Sequence, residues 1–352
     1  RQGYPAALFS TYKRQQTHQS DMITLSLSQT VIRNLIFANV GFALIYVLNN
    51  FLTYSLGWPG ADMFFLSFGA SSPSSLSGTD TFYGAIQFLF YVACLLGVIF
   101  WNKRNTLADD AKSLDGITSY LICASFWTVL LIGIVDMAIS FMRVQDIHTT
   151  LFSDSFANTL NQPASRGVIV HIPIIILAFL LAFWKRNVSV IWLALMVVLA
   201  EFLIVIARFI FSYEQTFMGD LVRFWYAALF LLASAQTLVE EGHVRVDVLY
   251  AGLAEKTKAK INMLGSLFLG IPLCWVIMWR GLSGKSSLIN SPMLNFETSM
   301  SGYGMYVKYL MAAFLLMFAL TMLIQFSSYA LSSFDRLSKD DDSVNDKKME
   351  TA

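Results

Sequence analysis

The sequence predicts an all-α, polytopic integral membrane protein with eight transmembrane helices and both termini in the cytoplasm. Three observations carry this. Of 352 residues, 56% are hydrophobic and 13% are charged, against about 25% charged in an average soluble domain. Eight apolar runs lie near the roughly 20 residues that a helix needs to cross hydrocarbon. Lysine and arginine alternate in density between the two sets of connecting segments, as the cytoplasmic bias of basic loops requires.

The first run, residues 35–54, is interrupted by Asn39, Asn49 and Asn50, so it reads as a span or, alternatively, as an interfacial helix. The following runs are 83–101, 117–142, 168–184, 188–211, 221–239, 261–279 and 306–331. With the N-terminus inside, the inner segments hold Arg1, Lys13, Arg14, Lys103, Arg104, Lys112, Lys185, Arg186, Arg245, Lys256, Lys258, Lys260, Arg336, Lys339, Lys347 and Lys348. The outer loops hold only Arg143, Arg166, Arg280 and Lys285, and the loop 56–82 holds none. Deleting any one run inverts every later loop and destroys the bias.

The connections set the organisation. The tight Lys-Arg-Asn turn after Trp184 separates residues 1–187, four helices, from 188–334, four more; 335–352 is left as a charged tail without apolar period, expected to be disordered in the cytoplasm. The halves share a topology but no motif, so no internal repeat is read. In the outer loop 143–166, Leu151, Phe152, Phe156 and Leu160 fall at helical spacing and suggest an amphipathic helix on the outer surface. A second surface helix is expected on the inner side over 246–254, with Lys256, Lys258 and Lys260 near lipid phosphates. The chain opens without a methionine and shows no cleavable signal peptide, so the natural start is expected further upstream.

Most chemistry is excluded. A net charge of +1 gives no reason to invoke nucleic acid. Cys94, Cys123 and Cys274 lie in separate apolar runs and read as core residues, not as a disulfide or zinc site. Of His18, His148, His171 and His243 only His171 lies in a run, which excludes a dihaem core. The stretch SGKSS at 283–287 lacks the glycine and the strand of a phosphate-binding loop, and HExxH, GxSxG and GxGxxG are absent. No catalytic residue, metal ligand or cofactor is therefore assigned.

Ionisable groups inside runs are costly and need partners. The main ones are Asp136, Glu201 and Arg208; the last two lie seven apart on one helix face. Their plainer reading is pairing with neighbouring helices, the sharper one an ion or proton relay. A denser cluster follows the sixth run, where Glu240, Glu241, His243, Arg245 and Asp247 fall within eight residues. His243 and Asp247 share a helical face, but no committed third ligand makes a metal site. A helix end at the cytoplasmic interface explains charge there, although a plain interface does not need five such groups.

The stretch EEGHVRVDVLY, 240–250, resembles the signature of the small membrane subunit of tripartite ATP-independent periplasmic (TRAP) transporters, the DctQ-like or Q subunit. Upstream, IVIARFIF places Arg208 where that family has an arginine ending its first helix, and GDLVRFWY places Asp220 and Arg223 at the start of its second. Downstream, Trp279 and Arg280 resemble the end of its third helix, and FETSMSGYGMYVKYL, with Glu297, resembles the approach to its fourth. The resemblance covers about 188–331. Gly219 and Asp220 stand where the family often has paired acids, and residues 1–187 have no counterpart in a minimal Q subunit.

The resemblance implies a non-catalytic scaffold in a bacterial inner membrane. Its partners would be a large DctM-like membrane subunit, which carries the sodium-driven transport site, a periplasmic solute-binding protein that captures a small, often carboxylate-bearing solute, and membrane lipids. Arg208, Asp220, Arg223, Glu240, Glu241, His243, Arg245, Asp247, Trp279, Arg280 and Glu297 would then order loops or face those partners, with Arg208 or Arg223 pairing with Asp220. The competing classes are a self-sufficient carrier or channel and a membrane redox or enzyme subunit.

Overall fold

The computed structural model describes residues 27–66, 78–100, 106–184, 191–239, 250–299 and 303–350. Among the described residues there is no strand, and eight helices are long and apolar enough to cross a membrane. They are α1 (Leu27–Ser55), α2 (Gly78–Phe100), α3 (Leu107–Val144), α4 (Pro163–Trp184), α5 (Ile191–Phe211), α6 (Thr216–Val239), α7 (Glu255–Leu282) and α8 (Lys308–Glu350). Each predicted run falls on one of them. Because eight crossings are even, α1 begins and α8 ends on one side, here called the terminal face.

Two helices build the core. α3 packs against α4, α6 and α8, and α8 packs also against α1 and α7. One apolar cluster joins Phe126, Val129 and Ile132 of α3 to Ala200 of α5, Phe224 and Trp225 of α6 and Phe314 of α8. A second joins Ile36 and Val40 of α1 to Leu107 and Leu114 of α3, Met278 of α7 and Leu323 of α8. Both clusters therefore join helices that precede residue 185 to helices that follow residue 190. In lipid, where apolar burial alone drives little association, close fit and internal hydrogen bonds hold helices together. Gly133 supplies both: the Trp225 ring fills the space a Cβ would need, and its indole N–H donates to the Val129 carbonyl at 3.1 Å.

The helix ends depart from the apolar runs for local reasons. α3 starts ten residues before its run, because Thr106 and Asp109 form a reciprocal capping box and Leu107, Ala111 and Leu114 carry a buried face through a polar stretch. The tail expected to be disordered is helical as far as Glu350. Extending a formed helix avoids the cost of nucleation, and Lys339 Nζ bonds Asp335 Oδ2 four residues back at 2.6 Å. In the loop after α3 the expected surface helix is two short ones, His148–Leu151 and Asp154–Leu160, parted at the extended Phe152; Leu160 is buried while Leu151, Phe152 and Phe156 are exposed. Residues 246–249 of the surface helix expected over 246–254 lie outside the described residues, and 251–253 form a turn.

Two helices contain a π-turn in the same sequence setting. In α4 it spans Gly167–His171 and in α7 Ser266–Gly270, and each is followed by Ile and then Pro, Pro173 and Pro272. Proline lacks an N–H and clashes with the carbonyl four residues earlier, and a π-turn relieves both. Each turn opens or closes at a glycine under an aromatic ring: Gly167 meets Phe296, Gly270 meets Phe326.

Candidate functional site

At the face opposite the termini, Asp220 lies just beyond the first turn of α6. It is buried. Its Oδ2 accepts from Ser299 Oγ at 2.9 Å and from the Met305 backbone N–H at 3.0 Å, and its Oδ1 accepts from Arg223 at 3.4 Å. Of the two arginines expected beside Asp220, Arg223 takes that place. Arg208 instead pairs with Glu214 at 3.4 Å across the turn from α5 to α6, with both side chains exposed. That turn is closed by Ser212 in the left-handed region, φ 48°, and by the Tyr213 N–H bonding the Ala207 carbonyl at 3.0 Å.

Glu297 stitches the same approach to α8. Its carboxylate accepts from Lys308 Nζ and its carbonyl from the Tyr309 N–H at 3.0 Å. Trp279 and Arg280, in the last turns of α7, are exposed and stand apart from Asp220. Trp279 lines a groove of about 590 Å³ with Tyr46, Asn49 and Asp62, and Arg280 lines a smaller one, about 510 Å³, with Ser283 and Ser287. Glu240, Glu241, His243, Arg245 and Asp247 lie outside the described residues. The predicted residues thus fall at several places, of which the Asp220, Arg223 and Ser299 cluster is one.

The densest polar constellation among the described residues was not read from sequence. Asp136 of α3 accepts from Arg166 Nη1 at 3.0 Å, lies 3.2 Å from His171 Nε2, and accepts from the Tyr306 backbone N–H at 2.9 Å. The other His171 ring nitrogen lies 2.6 Å from the Tyr309 hydroxyl. Arg166 also donates to the Leu160 carbonyl at 2.7 Å and lies over the Tyr306 ring, 4.1 Å from its centroid. Arg143 lies 4.6 Å from the same centroid and donates to the Gly304 carbonyl at 2.7 Å. Asp136, Arg166 and His171 have no exposed surface.

This group bolts α3 and α4 to α8 and the segment that leads into it. A buried ion pair with this many hydrogen bonds fixes register more surely than it adds stability. Its arrangement explains why Arg143 and Arg166 are exceptions to the charge bias, since both serve packing. The π-turn in α4 sets His171 at the Asp136 carboxylate. Near the terminal face a second buried pair, Arg33 with Asp110 at 2.6 Å, joins α1 to α3, and Gln325 of α8 donates to Asp115 at 2.9 Å. Among the described residues no group of three His, Cys, Asp or Glu side chains is arranged to hold a metal ion.

The part of the chain that carries Asp220, Arg223, Trp279, Arg280 and Glu297 is the part matched by a known family. Residues 195–333 match the model of tripartite ATP-independent periplasmic transporters, DctQ component. This part of the chain is similar to a DctQ domain. It begins in α5 and ends in α8, so α1–α4 lie upstream of it. A DctQ domain is the small membrane component of a TRAP transporter, and that family is a transporter component. No curated protein and no solved structure matches the chain.

Proposed function

We propose that the chain is the non-catalytic small membrane subunit of a TRAP-type secondary transporter in a bacterial inner membrane. In this reading the DctQ domain holds a large DctM-like subunit in the bilayer and helps dock a periplasmic solute-binding protein, for sodium-gradient-driven uptake of a small carboxylate-bearing solute. Residues 1–187 enlarge the scaffold, and 188–334 form the four-helix DctQ part. Both termini are cytoplasmic, so Asp220, Arg223, Trp279, Arg280 and Glu297 lie toward the periplasm, while the cluster from Glu240 to Asp247 meets the cytoplasmic interface.

The observation that carries this reading is the DctQ match laid over four spanning helices. The polar chemistry supports it. Asp136, Arg166 and His171 bind one another and not a path to solvent, and Asp220 spends its oxygens on Arg223, Ser299 and Met305.

The test is reconstitution. The chain, the large subunit and the binding protein encoded beside it are expressed together and placed in liposomes with an inward sodium gradient. Uptake is expected only when all three are present. Uptake by this chain alone would mean a self-sufficient carrier and would remove the proposal.

A further inference from the structure

Glu201 is the central residue of α5, ten positions from either end of Ile191–Phe211, hence about 15 Å of helical rise from each. Its side chain is exposed on the surface of the bundle and has no hydrogen bond or ion pair among the described residues. The other ionisable groups deep in the described spans, Asp136 and His171, are paired within the chain. A carboxyl facing hydrocarbon at mid-bilayer is penalised unless a partner meets it.

The helix around it has the pattern of a contact. Ala194, Val198, Glu201, Val205 and Arg208 follow one another at alternating intervals of four and three residues, the seam on which a second helix packs at a shallow left-handed crossing. Larger exposed side chains, Trp192, Leu195, Leu199 and Phe202, flank the seam. Ala194, at one end of the seam, lets another backbone approach closely there. Arg208, at one end, is already matched by Glu214, so the unmet charge of the seam is the carboxyl at its centre.

We propose that this seam of α5 receives a transmembrane helix of the large TRAP subunit that presents a lysine or arginine at the depth of Glu201. The inference rests on the reading of this chain as the small subunit and adds to it the face and the chemistry of the contact. A second copy of the chain is a poor occupant. Copies in one membrane share an orientation, so a symmetric contact along this seam would set Glu201 against Glu201.

The test uses the full chain co-expressed with the large subunit. Glu201→Leu is expected to lower the large subunit retained on purification by about tenfold, which corresponds to about 1.4 kcal/mol, and Glu201→Gln to lower it less. A carboxyl that merely faced lipid would give the opposite result, with leucine neutral or beneficial. Val198→Cys and Val205→Cys are expected to cross-link to the large subunit above the wild-type background, and Leu269→Cys, exposed on α7, is not. Retention of the large subunit with cross-links from Leu269→Cys alone, with no effect of Glu201→Leu, or with cross-links only between copies of this chain, overturns the inference and leaves the small-subunit reading standing. Failure of the wild-type chain to retain a large subunit overturns both.

Discussion

Asp136 is the residue whose neighbours decide most about the interior. Its carboxylate neutralises Arg166, meets His171 and takes the Tyr306 N–H, all away from water. Asp136→Asn keeps the shape but leaves a buried guanidinium without its counter-charge, which costs about 3–5 kcal/mol. A lowered thermal unfolding midpoint in detergent is expected, and Asp136→Leu combined with Arg166→Met should recover most of it. If the single and double variants unfold together with the wild type, the network is not the bolt described. Asp136 was legible as an acid inside an apolar run, for which a partner was expected. The partner's identity was not, because Arg166 sits thirty residues away in a segment that reads as an outer loop. Arg33 was hidden differently: it precedes the apolar run that marks α1, yet the helix begins at Leu27 and carries it inward to Asp110.

At the level of elements, the existence and order of the eight helices were legible because each needs a long apolar stretch, and lipid admits few alternatives. Their ends were less so. Hydropathy does not register the amphipathic first turns of α3, although the Thr106 and Asp109 pair and the spacing of Leu107, Ala111 and Leu114 are there to be read. Nor does it show the π-turns, whose cue is a proline two residues beyond. Glycines separate tight from open helix surfaces. A Cβ at Gly167 would stand 2.5 Å from the Phe296 ring, whereas at Gly265 it would meet nothing within 4 Å. Phe296 is held with φ 47° and packs on Tyr309 as well, so its ring cannot swing aside freely. Gly167→Ala should therefore lose about 1–3 kcal/mol, and Gly265→Ala should gain roughly 0.5–1 kcal/mol from helix propensity. Thermal unfolding of the two variants side by side checks the sign of each; a destabilised Gly265→Ala or a neutral Gly167→Ala would contradict the packing.

For the whole molecule, the consequence of α3 is that the DctQ part does not stand free of the helices before it. Its match starts at residue 195, and the sequence divides at the turn after Trp184, but contacts do not respect that division. Removing residues 1–187 would cost little in apolar burial, since lipid tails replace side chains at nearly equal free energy. The polar losses are larger. Trp225 would lose the Val129 carbonyl, the Tyr306 N–H would lose Asp136, Tyr309 would lose His171, Gln325 would lose Asp115 and Ser328 would lose the Ala111 carbonyl. Each is a donor or acceptor left in or near hydrocarbon, where no water replaces the partner and an unmet group costs several kcal/mol. A chain of 188–352 alone should therefore fail to give a monodisperse species in mild detergent, and co-expression of 1–187 as a separate polypeptide should restore it, because the contacts that matter are between helices and not along the connecting turn. If the truncated chain instead purifies as one species with the thermal midpoint of the full protein, α3 is an accessory to the DctQ helices and not part of their core.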